Sequence, residues 1–224
     1  VKQVAEQHGM RATFMPKPFT EESGSGLHVH TSLRDGDGGN AFASSSGAPN
    51  DLMGRWVAGI LEHAPALTLL GGPTANGPRR IRPYTFAPTH VHWGLDNRTV
   101  LARCIVEDGS TANRVEFRSA GADANPYLIA AASLGAGLLG IEEQLDLGDP
   151  ITGNAYEQEA ALPPERQLAT NLRDAIRDLE LSVEARELFG DALIEHFIAS
   201  RDWEVREHER HVTDWQLQRY FEII

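Results

Sequence analysis

Residues 17–32 read KPFTEESGSGLHVHTS, a run in which three polar side chains alternate along a predicted strand behind two glycines. Side chains two positions apart on a strand point the same way, so His28, His30 and Ser32 are predicted to share one face. Two imidazoles and a hydroxyl in that arrangement suit contacts to a metal ion, a phosphate or a ribose. Gly24 and Gly26 let a ligand approach the backbone closely. The alternative is a half-buried hairpin with incidental histidines, because the motif is short.

A series of arginines forms the second candidate site. Alternation on a predicted strand places Arg114, Glu116 and Arg118 on one face. This face is either a solvated ladder of ion pairs or a site that holds phosphate and a divalent cation together. The surrounding stretch favours phosphate, because arginines outnumber acids there in a chain of formal charge −12. The arginines of this stretch are Arg79, Arg80, Arg82, Arg98, Arg103, Arg114 and Arg118.

Composition excludes several functional classes. With 32 acidic and 20 basic side chains, the protein is predicted to bind neither nucleic acids nor anionic membranes. The single cysteine, Cys104, excludes an internal disulfide framework and predicts a reducing, cytoplasmic location. The longest uncharged apolar run, residues 126–141, is interrupted by glycines and is too short to span a bilayer.

Hydrophobic periodicity predicts an α+β fold without an internal domain boundary. Helices are predicted at residues 1–8, at 51–70 with a kink or break before Pro65, at 126–144, and over most of 163–224. Strands are predicted at residues 12–15, 27–33, 98–106 and 112–118, the last two joined by a turn at 108–110. The glycine-, proline- and arginine-rich residues 71–97 are predicted to form a functional loop region.

A second histidine pair offers a different interpretation. His90 and His92, taken with His28 and His30, would suit a hydrolytic centre with two metal ions. The glycine- and arginine-rich setting favours phosphate instead. We therefore interpret His90 and His92 as strand residues.

Residues 17–32 resemble the ATP-binding signature of the glutamine synthetase superfamily. Further matches follow in that family's order: NR at 97–98, Arg103, RVEFR at 114–118, DANPY at 123–127 and VTDW at 212–215. The resemblance covers nearly the whole chain. It implies antiparallel strands backed by helices, which form one side of an active-site funnel, and a helical C-terminal third.

The resemblance implies a role for each matched residue in phosphoryl transfer from ATP to the γ-carboxylate of glutamate. The implied ligands of Mg²⁺ or Mn²⁺ are His28 and Glu116. The implied contacts to ATP are His30, Ser32, Arg98, Arg103 and Arg114, of which Arg98 and Arg103 would be catalytic because they would hold the transferred phosphoryl group. The implied contacts to glutamate are Gly24, Arg80 and Arg118.

The flap loop RIRPYTFAP at residues 80–88 departs from glutamine synthetases. Those enzymes carry a glutamate at the position of Phe86, where its carboxylate completes the ammonium site and can take a proton. Phenylalanine supplies only an apolar surface. The resemblance is therefore nearer to γ-glutamyl-amine ligases, which join glutamate to polyamines, ethanolamine or other alkylamines. A smaller departure is Ser23, where the family usually has asparagine.

Two alternatives stay open. Another carboxylate could replace the flap glutamate, and the enzyme would then be a glutamine synthetase that uses ammonia. In the other alternative the chain belongs to a catalytically dead relative that acts as a structural ring or binding protein. Retention of the site arginines and of the pair His28 and Glu116 argues against this second alternative.

The resemblance also predicts that residues 1–224 are the C-terminal part of a catalytic domain. The family's small N-terminal β-grasp domain and the upstream glutamates that supply most metal ligands are expected to be absent, and the fragment alone is expected to be inactive. In the family's homo-oligomeric rings, hexamers or dodecamers, each active site lies between neighbouring subunits. The full-length protein is therefore expected to form such a ring.

Overall fold

Four short strands form the sheet that carries the predicted site. The structure is a computed structural model and describes residues 1–107 and 111–223. Strand β1 (Val29–Thr31) pairs with β4 (Arg114–Phe117) and β4 with β3 (Ala102–Ile105), both antiparallel, while β3 pairs with β2 (Trp93–Leu95) in parallel. The strand order is β1-β4-β3-β2.

The register of this sheet brings distant parts of the sequence together. His30 of β1 lies opposite Glu116 of β4, and Glu116 lies opposite Arg103 of β3. Paired residues in neighbouring strands carry their side chains close together on one face. Three of the predicted site residues therefore lie side by side across three strands.

Helices cover the sheet and make up the C-terminal third, as predicted. Their bounds are α1 (Lys2–Gln7), α2 (Asp51–Gly71), α3 (Pro126–Glu142), α4 (Leu172–Leu181), α5 (Val183–Phe189), α6 (Asp191–Arg210) and α7 (Asp214–Tyr220). Asparagine side chains cap the two central helices: Asn50 accepts from the Met53 N–H of α2, and Asn125 accepts from the Tyr127 N–H of α3. Within the described ranges, no helix is long and apolar enough to cross a membrane.

The alanine- and glycine-rich helix α3 packs closely against α2. A Cβ at Gly59 of α2 would lie 2.1 Å from the Ala136 carbonyl oxygen of α3. A Cβ at Gly137 of α3 would lie 2.3 Å from the indole ring of Trp56. The two helices approach so closely because glycines face each other across their contact.

The core is centred on α2, whose buried side chains pack against α3, α4 and the sheet. Fully burying one large apolar side chain stabilises the fold by about 1.5–3 kcal/mol. The largest fully buried side chains include Phe42, Met53, Trp56, Ile60, Leu67, Leu69, Leu101, Phe117, Ile129, Leu168 and Leu179. The sheet is therefore held from one side by this core, which leaves its other face for the candidate site.

Several predicted strands are shorter than expected or are not formed. Residues 12–15 are described, but they form no strand and leave Phe14 and Met15 exposed, and the prediction there was wrong. The nearby Pro16 and Pro18 lack the N–H groups that a strand ladder needs. The strands predicted at 27–33, 98–106 and 112–118 shorten to β1, β3 and β4. The predicted turn at 108–110 lies outside the described residues.

Two further predictions change in detail. Helix α2 continues unbroken through Pro65, because burial of this helix outweighs the one backbone hydrogen bond that proline removes. His90 and His92 lie just before β2 rather than within it, and His90 forms an isolated bridge with Gln167. Both imidazoles are buried in this irregular segment.

Candidate active site

The carboxylate of Glu116 is the centre of the candidate site. It is only 3% exposed on β4, and side chains from both neighbouring strands converge on it. Arg118 Nη1 donates to Oε1 over 2.7 Å, and Arg103 Nη1 donates to Oε2 over 2.9 Å. His28 Nδ1 lies 2.7 Å from Oε1, and His30 Nε2 lies 3.8 Å from it. The two histidines therefore share a face, as predicted, and the ion pairs of Glu116 are buried rather than solvated.

The surroundings of Glu116 set the charge states at this centre. Burial raises the pKa of the Glu116 carboxyl, but the hydrogen bond from Arg103 and the positive charge of Arg118 outweigh it, and the pKa lies below its ordinary value. Burial, followed by the charge of Arg118, lowers the pKa of His28 despite the opposing effect of Glu116. The carboxylate is therefore ionised and the imidazole neutral, and these are the forms that bind metal ions.

Whether these groups fit a divalent cation follows from the donor set. His28 and Glu116 offer one imidazole nitrogen and one carboxylate, which suit Mn²⁺ or Mg²⁺. Across residues 1–107 and 111–223, no group of three or more histidine, cysteine, aspartate or glutamate side chains is arranged to hold a metal ion. The described residues therefore fit a cation as a two-ligand half-site.

Arg98 and Arg103, the two arginines implied to be catalytic, line one cavity of about 550 Å³. Arg103 reaches from Glu116 to Asp96, to which it donates through Nε over 3.0 Å and through Nη2. Hydrogen bonding by Arg103 is the main cause that lowers the pKa of the Asp96 carboxyl. Asp96 was not predicted as a site residue; its place just before the Asn97-Arg98 motif is the one sequence signal that points to it.

Arg118 connects the centre to the flap loop. Its Nη2 donates to the carbonyl oxygen of Phe86 over 3.1 Å and to that of Arg98 over 2.9 Å. The guanidinium is therefore shared between the Glu116 carboxylate, the flap loop and the turn that carries Arg98. Substitution of Arg118 would disturb all three.

Phe86 itself lies in an exposed, unusual part of the flap loop. Its side chain is 65% exposed, and its φ is +58°. Tyr84, two residues earlier, has a φ of +61°. Bulky residues rarely adopt this left-handed region. Neighbouring groups must therefore hold the loop in this conformation.

Arg80 lies behind the site, buried against the main chain. Its Nη2 donates to the carbonyl oxygens of Arg118, Ser119 and Ala120 over 3.2, 2.6 and 2.6 Å. Burial and the charge of Arg118 lower the pKa of Arg80 to about 10, so it stays protonated at neutral pH. A Cβ at Gly24 would lie 2.6 Å from Arg80 Cγ. The structure thus uses Gly24 for close packing on Arg80.

The remaining residues implied to contact ATP lie at the open edge of the site. His30 is exposed on β1, and Ser32 is exposed just beyond the end of that strand. Arg114 Nη1 donates to the carbonyl oxygen of Ala112. The structure brings His28, His30, Arg103 and Arg118 together on Glu116, whereas Ser32 and Arg114 lie farther along the two strands.

Comparisons with known proteins show the family of this chain. The family described as "Glutamine synthetase, catalytic domain" matches residues 1–220. Glutamate–isopropylamine ligase of a Pseudomonas species is 42% identical over 226 residues, which cover 100% of this chain and 49% of that protein. Gamma-glutamylethanolamide synthetase GlnA4 of Streptomyces coelicolor is 41% identical, over 99% of this chain and 46% of that protein.

A solved structure titled "Apo GmaS without ligand" superposes on this chain with a TM-score of 0.86 and 34% sequence identity, over 99% of this chain and 50% of that one. The chain spans about half the length of the curated relatives it matches. The α+β fold predicted from the sequence is confirmed. This chain belongs to the glutamine synthetase family, and its relatives include γ-glutamyl-amine ligases.

Proposed function

We propose that the full-length protein containing this chain is an ATP-dependent ligase that joins the γ-carboxylate of glutamate to an amine, through γ-glutamyl phosphate. We further propose that the amine is an alkylamine or a polyamine. One observation carries the proposal: a single guanidinium, that of Arg118, holds both the Glu116 carboxylate and the backbone of the flap residue Phe86. The same group thereby links the proposed phosphate and metal centre to the loop that carries the apolar side chain of Phe86.

In this proposal the reaction relies on positioning and charge rather than on a covalent catalyst. Arg98 and Arg103, on their shared cavity, hold the transferred phosphoryl group. Three further residues along the open edge contact ATP: His30, Ser32 and Arg114. Glutamate lies on the side of Gly24, Arg80 and Arg118. Through its hydrogen bonds to main-chain carbonyls, Arg80 also positions the backbone at residues 118–120 from behind.

The pair His28 and Glu116 would hold Mg²⁺ or Mn²⁺. A divalent cation bound there would neutralise charge on the phosphoryl group. Arg103 and Arg118 keep Glu116 ionised and oriented, and burial keeps His28 neutral. The half-site geometry supports the proposal that residues 1–224 are the C-terminal part of a catalytic domain whose other metal ligands lie elsewhere in the full-length protein.

Phe86 favours an organic amine as the nucleophile. An ammonium ion entering a partly dry site needs a carboxylate, because an unpaired buried charge is costly. Phe86 offers apolar surface instead, and each buried methylene of an alkylamine contributes about 0.8 kcal/mol. Two or three methylenes then favour an alkylamine over ammonium by about ten- to fiftyfold. The names of the relatives from Pseudomonas and Streptomyces support this direction.

A glutamine synthetase that uses ammonia is the second candidate. A protein named glutamine synthetase from Halobacterium salinarum is 37% identical over 227 residues. An exposed carboxylate, that of Asp96, lies beside Arg103 in the cavity that Arg98 also lines, and in this second candidate it would have to leave Arg103 to replace the missing flap glutamate. A catalytically dead relative is disfavoured, because the site arginines and the pair His28 and Glu116 are all retained. We also propose a cytoplasmic location and a homo-oligomeric ring, a hexamer or dodecamer.

The experiment is a phosphate-release assay of the full-length protein with ATP, glutamate and a panel of nucleophiles. The panel contains ammonium, isopropylamine, ethanolamine and putrescine. We expect a higher kcat/KM with at least one organic amine than with ammonium. Ammonium outperforming every amine would refute the amine assignment and leave glutamine synthetase, whereas no turnover with any nucleophile would favour the dead relative.

A further inference from the structure

Two consecutive carbonyl groups of the flap loop are held by side chains from elsewhere in the chain. The Phe86 carbonyl accepts from Arg118 over 3.1 Å, and the Ala87 carbonyl accepts from the hydroxyl of Tyr156 over 2.9 Å. The ring of Tyr156 also packs against that of Tyr84, with 5.2 Å between ring centroids. Arg118 belongs to the site already described. Tyr156 does not, and it lies 69 residues from its partner.

The flap loop needs such support because its backbone is strained. Tyr84 and Phe86 both have φ near +60°. A non-glycine residue held in this region costs about 1–3 kcal/mol and persists only where its surroundings hold it there. A free loop would relax, and the Phe86 side chain would change direction. The Tyr156 hydroxyl donates to the carbonyl of Ala87, the residue directly after Phe86, and this hydrogen bond opposes the relaxation.

The segment that carries Tyr156 is hydrogen-bonded to residues beside the candidate site. The Ala155 N–H donates to the Thr99 hydroxyl over 3.0 Å. The Asn97 side-chain amide donates to the Gly153 carbonyl over 2.8 Å. These two contacts flank Arg98 on both sides, so Tyr156 joins the turn that carries Arg98 to the loop that carries Phe86. Tyr156 is 8% exposed, and its burial raises the pKa of the phenol, so the hydroxyl stays protonated and donates.

We infer that Tyr156 is a positioning residue for the nitrogen nucleophile: its hydroxyl holds the Ala87 carbonyl, and thereby the Phe86 side chain, where the attacking amine is received. The inference rests on the proposed function only in assigning the flap loop to the nucleophile. Tyr156 does not touch the reacting atoms. It acts through the backbone of the loop.

The test compares Tyr156→Phe in the full-length protein with Tyr127→Phe, which removes the same atom from a side chain that is 84% exposed on α3. Tyr156→Phe keeps the ring contact with Tyr84 and removes only the hydrogen bond. One hydrogen bond corresponds to a change of about three- to tenfold. We expect KM for the best nucleophile to rise by that factor, with KM for ATP and for glutamate within about twofold of the unmodified enzyme.

A second readout does not depend on turnover. Amide hydrogen exchange, followed by mass spectrometry, should become faster in peptides covering residues 84–91 of Tyr156→Phe and stay unchanged in Tyr127→Phe. Unchanged exchange in residues 84–91, or an equal rise of all three KM values, would overturn the inference. If ammonium proves to be the best nucleophile, the alkylamine proposal fails. The Tyr156 inference is then still decided by the same two readouts, with ammonium as the nucleophile.

Discussion

The carboxylate of Glu116 and the main-chain carbonyl of Phe86 are held by one guanidinium, that of Arg118, over 2.7 and 3.1 Å. Planar guanidinium donors have a fixed geometry, so the two acceptors are held in a defined relation to each other. A shift of the flap loop is therefore coupled to the centre at which phosphoryl transfer is proposed.

Phe86→Glu should move nucleophile preference toward ammonium. The introduced carboxylate pairs with an ammonium ion and removes apolar surface that an alkylamine would contact. We expect the ratio of kcat/KM for the best organic amine to that for ammonium to fall by about tenfold or more, even if total activity falls. Phosphate release over the same nucleophile panel measures this ratio. An unchanged ratio would show that Phe86 does not set the choice of nucleophile.

His28→Ala should weaken divalent-cation binding in the full-length protein, because it removes one of the two ligands in this half-site. Activity should fall by more than the roughly 10- to 100-fold typical of residues that only orient a metal ligand. Mn²⁺ titration followed by electron paramagnetic resonance measures binding directly, and phosphate release measures turnover. His196→Ala, at an exposed position of α6, is the matched control.

The same measurements on His90→Ala address the interpretation with two metal ions. His90 is buried, and its Nδ1 lies near the Thr89 hydroxyl and the Glu159 carboxylate. It precedes β2, and β3 separates β2 from the strand β4 that carries Glu116. We expect cation binding to stay close to that of the unmodified protein. A loss equal to that of His28→Ala would instead support the hydrolytic centre.

The stability of the fold should depend on pH through His92. Both ring nitrogens are buried without a hydrogen-bond partner among the described residues, and burial lowers the pKa of His92 to about 4. The unfolded chain takes up this proton near pH 6.5, whereas the native state resists it until about pH 4. The unfolding free energy therefore decreases as the pH is lowered through that window. Protonation of His92 alone lowers it by about 2 kcal/mol between pH 7 and pH 5.

Urea unfolding of His92→Phe and of the unmodified protein at pH 7 and pH 5 isolates this contribution. The variant should lose less stability between the two pH values, by about the 2 kcal/mol that His92 contributes. His196→Phe, at the exposed position on α6, should leave the pH dependence as it was. An identical pH dependence for His92→Phe and the unmodified protein would contradict the assignment.

The contact between α2 and α3 should not tolerate a methyl group at Gly59. Gly59→Ala would place Cβ 2.1 Å from the Ala136 carbonyl oxygen, so the helices must move apart. We expect a loss of about 2 kcal/mol or more in unfolding free energy. Gly54→Ala on the same helix is the control, because its Cβ would meet no atom nearer than 3.8 Å. The control should gain about 0.5–1 kcal/mol, since alanine is the better helix former. Equal effects in thermal or urea unfolding would show that the helix contact is looser than described.

Local pattern was sufficient for the helices and for the faces of the site strands. A strand turns its side chains with a period of two, so the spacing of His28 and His30, and of Glu116 and Arg118, already determined that each pair shares a side. Residues 12–15 show the limit of this reasoning: their pattern suited a strand, but a strand also needs a hydrogen-bonding partner.

The sequence by itself determined which side chains could serve phosphoryl transfer, through short-range spacing and the family motifs. Only the tertiary structure decided that β1, β4 and β3 pair in the register that sets His30, Glu116 and Arg103 side by side. It also decided that Arg80 donates hydrogen bonds to main-chain carbonyls and that the Tyr156 hydroxyl donates to the flap loop. The physical reason is that register, burial and hydrogen-bond partners depend on contacts between residues tens of positions apart, and local periodicity carries no information about those contacts.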